Sequence, residues 1–190
     1  MKSFISEDDI EQAICNRLSL PEYGWKRIEC DARVEAQDDV STTGRANPSE
    51  CILPDVFLAA LKRLNPQVEE GVLQGILRNF RKDYTATDMV ETNYKLYNQL
   101  RNGIKKPVRK NGKEDFDIVR LIDFDHPERN DFHCVNQMWI KGHYRYRRPD
   151  VLLFVNGLPV VFIELKNSTV KVEESYNKNL TSYRKDIPNI

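Results

Sequence analysis

Apolar residues recur at two different periods along this chain, and the changes of period divide it. From Ser6 to Leu18 the spacing is helical: Ile10, Ala13, Ile14, Arg17 and Leu18 form a stripe, and Ser6 with Asp9 three residues on has the form of a capping box. Glu7 and Glu11 fall on the same line as Ile14 and Leu18. Negative charge is favourable at a helix N-terminus, which accounts for Glu7; Glu11 sits one turn deeper and borders the buried stripe. A mixed segment follows Pro21-Glu22-Tyr23-Gly24, and STTGRANPSE, residues 41–50, reads as a loop. From Pro54 to about Asn102 the helical period returns, through Phe57, Leu58, Leu61 and Leu64 and then Val72, Leu73, Ile76, Leu77 and Phe80. Asn65-Pro66 and the run from Asp83 to Thr87 break it, which predicts three helices. The basic, turn-rich RNGIKKPVRKNGK reads as a solvated hairpin or loop, with phosphate contact as the alternative.

At Asp117 the period drops to two. Ile118–Phe124, Phe132–Ile140 and the stretch RRPDVLLFVNGLPVVFIELKN from Arg147 to Asn167 are predicted strands, and Glu173–Arg184 returns to helical spacing. Asn156-Gly157 between two apolar runs marks an antiparallel hairpin. Two registers are open to it. A two-residue turn pairs Val155 with Leu158 and Asp150 with Ile163, leaving Asp150 and Glu164 on opposite sides of the sheet. A three-residue loop with Gly157 left-handed, or an equivalent bulge further along, brings Asp150 opposite Phe162 and places Asp150, Glu164 and Lys166 on one face.

Composition limits what such a chain can be. With 190 residues it is long enough for one well-cored domain, or one domain with a helical insertion. Its 29 basic and 29 acidic side chains cancel, so contact with phosphates must come from a local patch. Cys15, Cys30, Cys51 and Cys134 lie far apart without a C-x-x-C pair, and Met1-Lys2-Ser3-Phe4 begins no secretory signal; reduced thiols in a cytoplasmic protein are the expectation. His133-Cys134, with His126 and His143 nearby, could suggest zinc, but neighbours on a strand point to opposite faces. No apolar run reaches the length of a membrane span, and no G-x-x-x-x-G-K-[ST] phosphate loop occurs.

In the second hairpin register both faces are apolar except for three charges at one end of one face. Two carboxylates converging there repel each other unless a cation lies between them. Ligands that are all carboxylate, carbonyl and water suit Mg²⁺ or Mn²⁺, and Lys166 lies beside them, where an ammonium could orient a water or stabilise charge on a phosphate. The bland alternative is a structural Asp–Lys pair at a sheet edge. Just upstream, KGHYRYRRPD offers Lys141, Arg145, Arg147 and Arg148 with Tyr144 and Tyr146 interleaved, either as a phosphate-tracking surface or as a solvated edge strand.

Pro149-Asp150, thirteen intervening residues, then Glu164-Leu165-Lys166 resembles the PD-(D/E)xK nuclease signature. The longer string of Leu64-Asn65-Pro66, LIDFDHPERNDFHCVNQ from Leu121 to Gln137, and RRPDVLLFVNGLPVVFIELKN resembles the N-terminal endonuclease domain of the R (restriction) subunit of type I restriction-modification enzymes. The likeness covers nearly the whole chain and is loosest between Ala32 and Glu50.

The resemblance implies an α/β, restriction-endonuclease-like fold over residues 1–190, with a mixed central sheet flanked by helices and a helical insertion at about 54–102. It implies that Asp150 and Glu164 bind Mg²⁺ with help from the Leu165 carbonyl, that Lys166 is catalytic, and that a first-helix glutamate completes the site, Glu11 before Glu7. Related nucleases carry Q-x-x-x-Y after the lysine strand; here Tyr183 matches while Asn179 stands in place of the glutamine, and both are assigned with Arg145, Arg147 and Arg148 to DNA contact. The implied activity is Mg²⁺-dependent cleavage of double-stranded DNA without sequence preference of its own, in complex with methyltransferase and specificity subunits. ATP would serve translocase domains absent from this chain, which is expected to be the N-terminal part of a longer protein. A repair nuclease or Holliday-junction resolvase of the same fold, and a non-catalytic docking module, are the rival expectations.

Overall fold

A computed structural model describes residues 5–30, 39–81, 89–110, 113–142, 145–166, 176 and 181–186. The first helix, α1, spans Glu7–Leu18 and begins as its sequence requires: the Asp9 N–H donates to Ser6 Oγ at 3.0 Å and the Ser6 N–H donates to Asp9 Oδ2 at 3.0 Å. Its buried line is not the expected one. Glu11 and Cys15 are the buried residues, while Ala13 and Arg17 are exposed. The reason is the sheet beneath: the Cys15 and Cys134 sulfurs meet at 3.4 Å, and Val151 and Leu153 complete that cluster. None of the four cysteines forms a disulfide.

Among the described residues, four strands make the central sheet. They are β1 (Lys26–Glu29), β4 (Phe132–Asn136), β7 (Val151–Val155) and β8 (Leu158–Ile163), in the order β1-β4-β7-β8. β1 runs parallel to β4, and β4–β7 and β7–β8 are antiparallel, so the sheet is mixed as expected. Between β1 and β4 the chain forms α2 (Asp39–Thr43), α3 (Pro54–Leu64), α4 (Glu70–Phe80), α5 (Met89–Asn102) and an antiparallel hairpin of β2 (Ile104–Lys110) and β3 (Lys113–Val119). β5 (Ile140–Lys141) and β6 (Tyr146–Arg147) pair as a short ribbon, and α6 is Thr181–Asp186.

The three helices predicted between Pro54 and Asn102 are present, and the hairpin form of the basic segment is the one adopted. Two stretches differ. The expected loop at 41–50 opens inside α2, and it then wraps a buried Arg45 whose guanidinium donates to the carbonyls of Glu50 (3.1 Å) and Trp139 (2.9 Å). The strand expected over Ile118–Phe124 stops at Val119. Beyond it, side chains replace the ladder: the Arg120 N–H donates to Asn65 Oδ1 at 2.7 Å, and Asn65 Nδ2 donates to the Arg120 carbonyl at 2.9 Å. The stretch from Phe132 to Ile140 is likewise not one strand. It breaks after Asn136, where Gln137 takes a left-handed φ of 58°.

The hairpin register is the point on which the site depends. Asn156 (φ 51°) and Gly157 (φ 79°) are both left-handed, and Val155 lies opposite Leu158, so the connection is a two-residue turn and not a three-residue loop. A bulge then shifts the register between Leu153 and Phe154: Phe154 faces Pro159, but Leu153 faces Val161, Leu152 faces Phe162 and Val151 faces Ile163. Continued by one residue, this pairing sets Asp150 opposite Glu164 and not opposite Phe162. The bulge restores the parity that the tight turn alone would lose, so the two carboxylates share a face. The turn itself is buried under α3: the Leu53 N–H donates to the Gly157 carbonyl at 2.8 Å, and the Asn156 amide donates to the Leu121 carbonyl at 2.9 Å and to Asn130 Oδ1 at 2.8 Å.

Candidate active site

Asp150 closes the gap to β8 through its own side chain, for Oδ2 accepts the Leu165 N–H at 2.6 Å. The main chain on its other flank is tied too, since the Gln137 N–H donates to the Asp150 carbonyl at 3.0 Å. With its carboxylate held by the Leu165 N–H and its main chain by Gln137, Asp150 has little freedom to turn away from Glu164. Glu164 is mostly buried, at 16% side-chain exposure. Its carboxyl is pushed above the ordinary range first by that burial and then by the negative charge of Asp150, against the pull of Lys166 and a hydrogen bond with Tyr183.

Lys166 sits where those charges accumulate. Its Nζ donates to the Leu165 carbonyl at 2.6 Å and to Glu164 Oε1 at 3.2 Å, and lies 3.8 Å from Glu7 Oε2. Tyr183, on α6, packs edge-on against Phe162 at 4.9 Å, and burial followed by the charge of Glu164 raises its phenol well above the usual range. Asn179 lies outside the described residues.

Both first-helix glutamates reach the site, by different routes. α1 covers the face of Val151, Leu153 and Ile163, one residue out of phase with Asp150 and Glu164, so Glu11 does not descend from directly above them. Gln137 links it to Asp150 at the end of the sheet. Glu11 is 3% exposed; Asn136 Nδ2 donates to its Oε1 at 2.9 Å and Gln137 Nε2 donates to its Oε2. The same Gln137 nitrogen lies 3.5 Å from Asp150 Oδ1. Sequence reasoning passed over Asn136 and Gln137, although two amides ending an otherwise apolar strand were the available signal.

A cleft of about 580 Å³ opens here, lined by Glu7, Asp8, Glu11, Gln137, Arg148 and Asp150 among others. Of the basic residues upstream, Arg148 lines it and places its guanidinium 5.0 Å from the Trp139 ring. Arg145 is exposed. Arg147 is engaged internally: its Nε donates to Asp186 Oδ2 at 2.9 Å, and its guanidinium stacks 5.4 Å from the Tyr183 ring. That pairing ties α6 to β6.

The donor set fits a hard divalent ion. Asp150, Glu164, Glu11 and the Leu165 carbonyl offer oxygen only, and the buried Oδ1 of Asn136 beside them has no hydrogen-bond partner among the described residues. Among the described residues no three His, Cys, Asp or Glu side chains form a ready-made metal cage, and the Lys166 ammonium is hydrogen-bonded to Glu164 and the Leu165 carbonyl.

A mixed α/β arrangement, with a mixed central sheet and several helices, is that of a restriction-endonuclease-like fold. Residues 4–190 match the family described as type I restriction enzyme R protein N terminus, and the chain belongs to that family. It is 34% identical over 165 residues to the type I restriction enzyme HindI endonuclease subunit of Haemophilus influenzae, covering 86% of this chain and 15% of that protein. It is 31% identical over 154 residues to a provisionally named type I restriction enzyme MjaIXP endonuclease subunit of Methanocaldococcus jannaschii, covering 77% and 14%. The chain thus spans about 15% of the length of these relatives. No helix among the described residues is long and apolar enough to cross a membrane.

Proposed function

We propose that this chain is the DNA-cleaving domain of a type I restriction enzyme R subunit, hydrolysing phosphodiester bonds of double-stranded DNA with Mg²⁺ or Mn²⁺ and without sequence preference of its own. The observation that carries the reading is the convergence of Asp150, Glu164 and Lys166 at one end of β7–β8, in a family whose relatives are named endonuclease subunits. Asp150, Glu164 and the Leu165 carbonyl would hold the ion, with Glu11 completing the set. The bound ion would supply Lewis-acid charge stabilisation and a more acidic water.

The chain's own residues do the rest. The Leu165 N–H fixes the Asp150 carboxylate while leaving Oδ1 turned toward Gln137 and the cleft. Lys166, anchored by Glu164, would turn its Nζ proton from the Leu165 carbonyl to the attacking water or a phosphate oxygen once that carbonyl is otherwise engaged. Tyr183 covers Glu164 and keeps its surroundings dry, which strengthens each of these interactions. Arg148 at the cleft wall and exposed Arg145 would meet the phosphate backbone. Balanced net charge suits a domain that cuts DNA delivered to it and does not capture DNA unaided. Target choice would then rest with a specificity subunit, and ATP hydrolysis with motor domains elsewhere in the enzyme.

The test is cleavage of unmodified DNA by the enzyme assembled with its methyltransferase and specificity partners. Asp150→Ala, Glu164→Ala and Lys166→Ala should each abolish cutting while leaving ATP turnover and assembly intact. Undiminished cutting by any of the three would overturn the assignment.

A further inference from the structure

Glu11 is a buried carboxylate whose hydrogen bonds come from neutral amides, Asn136 Nδ2 and Gln137 Nε2. Burying a carboxylate is costly unless it is hydrogen-bonded or paired. Amide donors meet that need without cancelling the charge, whereas a lysine or arginine would neutralise Glu11 and compete with any cation. Gln137 does more than Asn136, because its nitrogen also lies 3.5 Å from Asp150 Oδ1 while its main-chain N–H donates to the Asp150 carbonyl at 3.0 Å. One residue therefore touches Asp150 twice and Glu11 once. It does so from a left-handed φ of 58°, a conformation uncommon for a residue with a β-carbon and one that ends β4 where Asp150 begins.

We infer that Gln137 is a positioning residue: its amide bridges Glu11 and Asp150 and sets the orientation in which the two carboxylates, brought from opposite faces of the sheet, address one divalent ion. Each carboxylate has several lone pairs, and an amide proton occupies a single one on each, leaving the others directed at the cleft. Groups that orient ligands from behind in this way typically change metal affinity by about 10- to 100-fold when removed. Without Gln137, Glu11 would keep its bond to Asn136 but nothing would fix its angle to Asp150. The inference rests on the metal-binding reading of Asp150 and Glu164 proposed above.

The experiment is a Mn²⁺ titration of the full-length protein, free of nucleotide, followed by electron paramagnetic resonance and needing no turnover. Gln137→Leu should weaken Mn²⁺ binding by about tenfold. Gln137→Asn, which tolerates a left-handed φ but carries a shorter amide, should fold normally and also weaken binding, so the test stands even if the leucine variant does not fold. In a Glu11→Ala background, Gln137→Leu should cause little further loss, because the residue acts through Glu11. A residue needed only for the turn would leave Mn²⁺ affinity unchanged in Gln137→Asn, and that result overturns the inference, as would fully additive losses in the double variant. Loss of Mn²⁺ binding in Asp150→Ala alongside normal binding in both Gln137 variants would refute the role of Gln137 alone. Unaltered binding in Asp150→Ala would instead refute the metal site on which it rests.

Discussion

Gly157→Ala is the sharpest single perturbation of the hairpin that sets Asp150 against Glu164. A β-carbon built on Gly157 would stand 2.5 Å from the Leu53 carbonyl oxygen and 2.7 Å from the Phe57 nitrogen, both of them backbone atoms of the α3 N-terminus that no rotamer change can move. Three costs add. The left-handed φ of 79° costs an alanine about 1 kcal/mol. Overpacking against fixed backbone costs about 1–3 kcal/mol. Displacing α3 also lengthens the 2.8 Å bond from the Leu53 N–H to the Gly157 carbonyl, worth about 1 kcal/mol. The expected loss is therefore about 3–5 kcal/mol, or roughly 10 °C in Tm for a domain of this size. Gly24→Ala supplies the control, since Gly24 has a φ of 68° with nothing within 4 Å of its built β-carbon, and it should lose only the conformational part, about 1 kcal/mol. Thermal melts followed by circular dichroism compare the two. Equal losses at both positions would refute the claim that the turn is clamped beneath α3.

Glu164→Gln should stabilise the metal-free protein near about pH 8 and abolish its response to Mg²⁺, because the carboxyl of Glu164 is raised by burial and by Asp150. The sign follows from the direction of that shift: the stability tied to protonated Glu164 is fully present below the ordinary value of 4.5 and is lost as pH rises through the raised one, so the gap between wild type and variant should close in acid. Melts in chelator from about pH 4 to about pH 8 measure it, and a variant less stable than wild type at the alkaline end would contradict it. Arg147→Ala should cost about 1–2 kcal/mol by releasing Asp186 and the Tyr183 ring, so a loss of cleavage there would come with a lower Tm. Arg145→Glu, at an exposed position, should leave Tm unchanged and weaken DNA binding at low salt; unchanged binding in a filter or anisotropy assay would mark it as a solvated charge.

Much of this protein was legible in local pattern. The capping box of α1, the three helices after Pro54 and the Asn156-Gly157 turn are all written in a few adjacent residues, because caps, helical stripes and left-handed turn positions are satisfied by short-range contacts. The charged cluster was legible for the same reason: Asp150, Glu164 and Lys166 interrupt apolar runs that give no local cause for charge.

What local pattern could not supply was anything decided by a neighbour distant in sequence. The strand expected through Phe124 ends at Val119 because Asn65, 55 residues earlier, takes the Arg120 backbone bonds. The buried line of α1 runs through Glu11 and Cys15 because Cys134 lies beneath it. Periodicity alone was neutral between the two hairpin registers, since the strand interiors are apolar on both faces. The tertiary fold combined the tight turn, buried under α3, with the bulge further along, so that the turn satisfies the helix N-terminus and the bulge returns Asp150 to the side of Glu164, opposite Glu164 and not Phe162. The sequence by itself thus determined which charged residues stand at the ends of the apolar hairpin strands, because charge beside an apolar run is a local fact. Only the packing of α1, α3 and β4 around the hairpin decided how those residues face one another, since parity across a sheet and reach around its edge depend on contacts more than a hundred residues apart.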